Sequence, residues 1–340
     1  MDMKKKIIVI AALAAALISG CAKSPVTGLN DASKKYLEAW IQVHHPDAQK
    51  TSMGSYIIED EPGTGASLGD PDDWPYVRVY YTSRTLDGTI QTTNYENVAK
   101  QLGTYEENNY YGPKVWCRQN FGINAGVEDV ISTMKIGGKR TAMIPGWLMS
   151  STEYSSAEDY FLNGSGTNVI YTIEPVEAIE DIVEWEIDSL STYMTRNFPD
   201  VALTDSVKYG YYYVRVAEPL DTCGFHKDTT IYINYIGRLL NGTVFDTNIA
   251  DTAKYYGIYS SSNTYGPVEI SAKEEYASTT MGSSSSSVID GFAYTIYQMH
   301  SYEKGTGIFY SAYGYTSSGS GETIPPYSPL RFDIEVVDND

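Results

Sequence analysis

The sequence predicts an α+β chain in which one β-rich domain occurs twice in tandem. Each copy is expected to be an antiparallel sheet wrapped around a single short helix, with an amphipathic helix ahead of it. Three observations carry this reading: an ordered internal repeat, β-branched and aromatic runs bounded by hairpin turns, and helical stripes at the start of each copy and late within it.

The repeat decides the architecture. His45-Pro46-Asp47 returns as Phe198-Pro199-Asp200, and Gly54 to Ile58 returns as Gly210 to Val214. Tyr81 to Arg84 with Asp87-Gly88 answers Tyr235 to Arg238 with Asn241-Gly242, an offset of 154 residues. Gly126 and Met134 answer Gly291 and Met299 at 165, and Tyr171 to Glu174 answers Phe332 to Glu335 at 161. Order is preserved throughout, so the copies descend from one unit. The jump in offset places extra length in the second copy between Gly242 and Gly291. That stretch is rich in Tyr and Ser and ends in Ser283 to Ser287, a run unable to bury apolar area, so it reads as a mobile surface loop.

Within each copy the middle reads as strands. Val77 to Tyr81 and Thr230 to Tyr235 are rich in residues that suit a pleated surface, and Asp-Gly and Asn-Gly are strong hairpin turns. Phe292, Ile296 and Met299 share one helical face. Tyr36, Leu37, Trp40 and Ile41 form a helical stripe before the first copy, and Ile179, Ile182, Val183, Ile187 and Leu190 form one before the second. The resulting division is 1–20 leader, 21–51 N-terminal linker and helix, 52–177 first domain, 178–207 helical connector and 208–340 second domain.

With 340 residues the chain can fill two cores without disulfides or metals. Its 43 acidic against 24 basic residues give a net charge of −19, which repels phosphate backbones and argues against nucleic acid as a partner. Lys4 to Lys6 followed by the apolar run Ile7 to Leu17 read as a signal peptide, since that run is short for a bilayer span. Ile18-Ser19-Gly20-Cys21 resembles the bacterial lipobox, which implies lipidation of Cys21 and a membrane anchor. Ala22 after it favours the outer membrane, facing the periplasm. Cys117 and Cys223 fall one in each half and exclude a disulfide within either domain. The four histidines have no companions at metal-ligand spacing, and neither a phosphate loop nor a nucleophilic triad can be assembled.

The second copy carries an ordered pattern: Tyr235-Ile236-Gly237-Arg238-Leu239, Phe245-Asp246, Val288-Ile289-Asp290-Gly291-Phe292, Ala312-Tyr313-Gly314, Ile324-Pro325-Pro326 and Leu330 to Glu335. Together these resemble the FKBP family of peptidyl-prolyl cis-trans isomerases over Lys208 to Asp340, and in degraded form over Ser52 to Glu177. The resemblance implies an aromatic pocket with Phe292 as floor and Tyr235, Phe245 and Phe332 as walls, beside Asp246. It further implies an Ile289 N–H and a Tyr313 hydroxyl directed to bound peptide, with Val288 and Ile324 at the substrate and no cofactor or metal. The family's usual Trp floor is Phe292 here, Ser287 stands at an often acidic position, and His300-Ser301-Tyr302 replaces a glycine turn.

The first copy departs further. Gln91-Thr92 stand for Phe245-Asp246, and Val127 stands for the aromatic floor, so this domain is expected to fold without isomerising. The functional expectation is a prolyl isomerase for unfolded or nascent exported polypeptides. A non-catalytic chaperone or adaptor on the same fold is the alternative, and a glycan-binding lipoprotein is a third reading that rests on the 31 tyrosines alone.

Overall fold

The structure is a computed structural model and describes residues 28–220, 229–273, 275–283 and 285–338. Cys21 and its leader, Cys223 and His226 lie outside the described residues. The first half runs α1 (Asp31–His44), β1 (Gln49–Lys50), β2 (Tyr56–Glu61), β3 (Tyr76–Arg84), β4 (Ile90–Thr93), α2 (Glu96–Leu102), β5 (Lys114–Cys117), α3 (Ala125–Ile131), β6 (Lys139–Ile144), α4 (Ala157–Asn163) and β7 (Val169–Ile179). The connector helix α5 (Ile182–Asn197) follows. The second half runs β8 (Tyr211–Ala217), β9 (Thr229–Leu239), β10 (Val244–Thr247), α6 (Ala250–Tyr255), β11 (Val268–Ala272), β12 (Thr280–Met281), β13 (Ser286–Ser287), α7 (Asp290–Gln298), β14 (Lys304–Phe309) and β15 (Leu330–Val337).

Both halves build the same antiparallel sheet. The first orders its strands β2-β6-β7-β3 and the second β8-β14-β15-β9. In each, the long last strand serves two partners in succession. β3 gives Tyr76–Val79 to β5 and Thr82–Arg84 to β4, while β9 gives Thr229–Ile233 to β11 and Ile236–Arg238 to β10. At the changeover an asparagine takes the place of a neighbouring strand. Asn248 accepts from the Tyr235 N–H at 2.8 Å and donates to the Ile233 carbonyl at 2.8 Å. Asn94 does the same for Tyr81 and Val79, at 2.7 and 2.8 Å. Buried main-chain groups left unpaired would be costly, so one amide side chain at this seam keeps the strand continuous.

Thr93-Asn94 and Thr247-Asn248 share the 154-residue offset, and so do Tyr111-Gly112-Pro113 and Tyr265-Gly266-Pro267. Stacked tyrosine pairs repeat with them, Tyr105 on Tyr111 at 5.0 Å and Tyr259 on Tyr265 at 4.9 Å. The Tyr/Ser-rich segment after Gly242 is therefore common to both copies rather than an insertion. The offset rises from 154 at Pro113/Pro267 to 165 at Gly126/Gly291, so eleven residues are added after β11. They are not a surface loop throughout: β12 and β13 pair and extend the sheet beyond β11. This corrects the expectation for Ser283 to Ser287, of which Ser286 and Ser287 form β13; the polar side chains suit an edge strand exposed on both faces.

Each sheet packs on its short helix. α3 buries Val127, Val130 and Ile131, and α7 buries Phe292, Ala293 and Ile296. Burial of each large side chain is worth roughly 1.5–3 kcal/mol. α1 docks on its own domain through Leu37 and Ile41, whereas Tyr36 remains exposed. The connector stripe differs from the sequence expectation. Ile179 ends β7, Val183 is exposed, and the buried face is Ile182, Glu186, Leu190 and Met194. Leu190 and Met194 pack on Tyr212 and Ile308 of the second sheet, whereas Ile182 clusters with Val115 and Ile179 of the first, so α5 bridges the two domains. Among its buried residues Glu186 is the surprise: its carboxylate accepts the Ser311 N–H and hydroxyl, both at 2.7 Å. Burial pushes its carboxyl up, against those two hydrogen bonds.

Among the described residues, no helix is long and apolar enough to cross a membrane.

Candidate active site

Alternation along β9 sets Ile233, Tyr235 and Leu239 on the buried face, with Gly237 between the last two. Gly237 pairs with Phe332 of β15 on one side and with Asp246 of β10 on the other. Having no side chain, it leaves room for rings from both neighbours. A Cβ there would lie 2.5 Å from the Phe245 ring and 3.0 Å from that of Phe332. Phe292, in the first turn of α7, reaches the same space because Gly291 lets the helix approach β14. A Cβ at Gly291 would stand 2.4 Å from the Phe309 ring.

The rings meet edge to face, the arrangement their quadrupoles favour. Centroids are 5.1 Å apart for Phe292 and Phe332, 5.6 Å for Tyr235 and Phe292, and 5.6 Å for Phe245 and Phe332. They enclose a cavity of about 440 Å³ lined also by Asp246, Val288, Ile289 and Ile324. That volume lies within the ~300–1,000 Å³ usual for small-ligand sites. The Tyr235 hydroxyl donates to the Asp246 carboxylate at 2.7 Å. Burial, and then the Asp246 charge, push the Tyr235 phenol well up, so it stays protonated and holds the carboxylate in place. Ile289 precedes α7 in an extended conformation, and its N–H has no acceptor among the described residues.

Eight of the residues named from the sequence thus line one cavity: Tyr235, Phe245, Asp246, Val288, Ile289, Phe292, Ile324 and Phe332. Tyr313 does not. It lies in a 3₁₀ turn with its ring packed on Tyr310 and Tyr211, at 5.4 and 6.1 Å. Tyr315, two residues on, lines the cavity instead. Sequence reasoning also missed Met281, which the added hairpin brings to the lining together with Ser287, and Ser320 and Thr323 from the loop before β15.

In the first domain the positions of Tyr235, Phe245, Asp246, Phe292 and Phe332 hold Tyr81, Gln91, Thr92, Val127 and Tyr171. Ser83 stands where Gly237 does, its hydroxyl bonded to that of Thr92 at 2.7 Å. The Trp116 indole packs against Tyr81 at 5.0 Å and Tyr171 at 6.5 Å. Gln91 and Val127 thus replace two of the four rings, and the two tyrosines that remain pack on Trp116.

Residues 224–337, about a third of the chain, match the family model described as FKBP-type peptidyl-prolyl cis-trans isomerase. This segment is similar to FKBP-type domains. The first half, which lies outside the matched residues, repeats the same strand order and short helix, and the second bears the aromatic cavity. Solved structures similar to the chain include the crystal structure of the three FKBP domains of wheat FKBP73. It is 17% identical, covers 84% of this chain and 95% of that one, and has a TM-score of 0.30. Another is the 1.6 Å crystal structure of a peptidyl-prolyl cis-trans isomerase from Pseudomonas syringae pv. tomato str. DC3000, 19% identical, covering 46% of this chain and 94% of that one, with a TM-score of 0.29. No curated protein matches the chain.

Proposed function

We propose that the chain is a peptidyl-prolyl cis-trans isomerase whose activity resides in the second domain and whose substrates are proline-containing segments of unfolded or nascent exported polypeptides. The observation that carries this is the 440 Å³ cavity walled by Tyr235, Phe245, Phe292 and Phe332, within the segment that matches the FKBP-type family. Rotation about a peptide bond is opposed by a barrier of ~18–20 kcal/mol, and X–Pro bonds populate cis at roughly 10–30% in unfolded chains. No covalent bond has to break. A twisted amide has lost resonance and carries a carbonyl less in need of water. A dry aromatic pocket that seats the pyrrolidine ring, with the Ile289 N–H to take a carbonyl, therefore favours the twisted form over the planar one. Each ~1.4 kcal/mol of such preference gives about tenfold in rate.

Lipidation at Cys21 would tether the protein to a membrane, with the outer membrane and its periplasmic side as the expected place. The lipobox-like run supports that reading.

The test is NMR exchange between cis and trans forms of a short X–Pro peptide with the full chain. Catalysed exchange is expected, falling at least tenfold in Phe245→Ala and in Asp246→Ala. Exchange at the uncatalysed rate with the wild-type chain would overturn the enzymatic reading. Suppression of aggregation of proline-free clients would then assign a holding role.

A further inference from the structure

Between the 3₁₀ turn at Ser311–Tyr313 and β15, residues 314–329 form a sixteen-residue loop without a strand or helix of its own. It supplies Tyr315, Ser320, Thr323 and Ile324 to the cavity, close to one third of its lining. Connections this long inside a domain are uncommon and are mobile unless something holds them. Within the loop, Ser320 and Ile324 exchange two main-chain hydrogen bonds, at 2.7 and 3.1 Å, and the Tyr327 N–H donates to the Thr316 carbonyl at 2.9 Å.

The Thr316 N–H donates to the Ser311 carbonyl at 3.0 Å and Ile324 is buried in the second domain's core, while further ties, at Glu322 and Tyr327, come from the other domain. The Tyr110 N–H, in the segment leading to β5, donates to the Glu322 carbonyl at 2.9 Å. The Lys114 ammonium, at the start of β5, bonds the Glu322 carboxylate. Lys114 is 10% exposed in its side chain, so this ion pair is only partly open to solvent at one end. Tyr110 packs its ring against the second domain's core cluster, and Tyr76 of β3 meets Tyr327 edge to face at 5.3 Å. Glu322 adjoins Thr323 and Ile324, so the first domain grips the loop one residue from the cavity wall.

We infer that the first domain is a positioning element for the second domain's pocket: Tyr110 and Lys114 clamp Glu322 and so hold Thr323 and Ile324 where a prolyl peptide binds. This rests on the isomerase reading for its effect on turnover, but the clamp itself does not. It also gives the first domain a task that needs none of the pocket residues it lacks. Lys114 and Glu322 are positioning residues. Their loss acts on peptide binding, because the loop forms the wall while Phe292, Tyr235 and Asp246 stay in place.

Two measurements on the full chain test it. In peptide exchange kinetics, Lys114→Ala and, from the exposed side, Glu322→Ala should each raise KM about threefold to fivefold with kcat within twofold, the scale of one partly buried ion pair. Lys114→Arg should restore the wild-type KM. In hydrogen exchange read by mass spectrometry, peptides spanning 315–329 should exchange several-fold faster in Lys114→Ala and Glu322→Ala, with the peptides of α7 unchanged. Unchanged exchange of 315–329 in both variants overturns the clamp, whether or not the chain isomerises proline. A wild-type chain without isomerase activity overturns the function reading alone. Equal losses of kcat and stability, not rescued by Lys114→Arg, would show a merely structural contact and also refute the proposal.

Discussion

Gly237→Ala probes the cavity from the backbone upward. The added methyl would lie 2.5 and 2.7 Å from two atoms of the Phe245 ring and 3.0 Å from one of Phe332. Relaxed carbon contacts are at ~3.5–4.0 Å, so the Phe245 ring must withdraw by about 1 Å. It has little freedom to do so, since Phe245 and Phe332 are 9% and 4% exposed and Phe332 already abuts Phe292. The displacement therefore enters the cavity. Overpacking of this kind costs about 1–3 kcal/mol, and misplacing reacting groups by about 1 Å can cost on the order of a hundredfold in rate. Urea unfolding followed by near-ultraviolet circular dichroism should show the second domain destabilised by about 1–3 kcal/mol. Peptide exchange should slow at least tenfold. Adding Phe245→Leu removes the clashing ring atoms and should return most of the stability but not the activity. A single variant with unaltered midpoint and unaltered exchange rate would refute the claim that the missing side chain makes room for the rings.

Gly291→Ala should destabilise the second domain more broadly, by about 1–3 kcal/mol or more in the same unfolding assay, because its methyl would stand 2.4 Å from the Phe309 ring and push α7 off the sheet; an unchanged midpoint would show that the helix approach is looser. Acid stability should depend on Glu303, which is fully buried and bonded by Tyr213, Arg215 and His300. Burial alone would raise its carboxyl, but those hydrogen bonds outweigh burial and hold it below the ordinary value. A depressed folded value means the contribution is complete above the unfolded pKa of about 4.3 and lost as pH falls through the lower folded one. Melting curves from pH 6 to pH 3 should fall more steeply for the wild type than for Glu303→Gln, and parallel curves would contradict this.

The architecture was legible because the repeat and the strand composition are properties of the chain itself. Tyr81 and Tyr235 occupy the same place in the same long strand, opposite Ile173 and Ile334, and Gly126 and Gly291 both let a helix close on its sheet. The aromatic members of the cavity were legible as an ordered pattern. What escaped was what depends on three-dimensional accommodation. Asn94 and Asn248 look like ordinary loop residues, although their shared offset was there to be found. Tyr315 and Tyr313 differ by two positions in an irregular turn, where no periodicity says which ring faces inward. Glu186 sits on an apolar stripe that only the Ser311 amide explains. The turn after α7 is a further case. Tyr302 adopts φ 57° where the first copy has Gly137 at φ 79°, so the backbone shape persists after the glycine is gone.

The paired asparagines have a geometric consequence. A strand bonded along its whole length to one neighbour continues a smooth surface, and a smooth surface offers no hollow. By completing the hydrogen bonds of two residues at the point of exchange, Asn94 and Asn248 let one strand leave and another arrive without exposing an unsatisfied amide. Beside this exchange the C-terminal half sets the aromatic rings that line its cavity, and the other half sets Trp116 against Tyr81 and Tyr171.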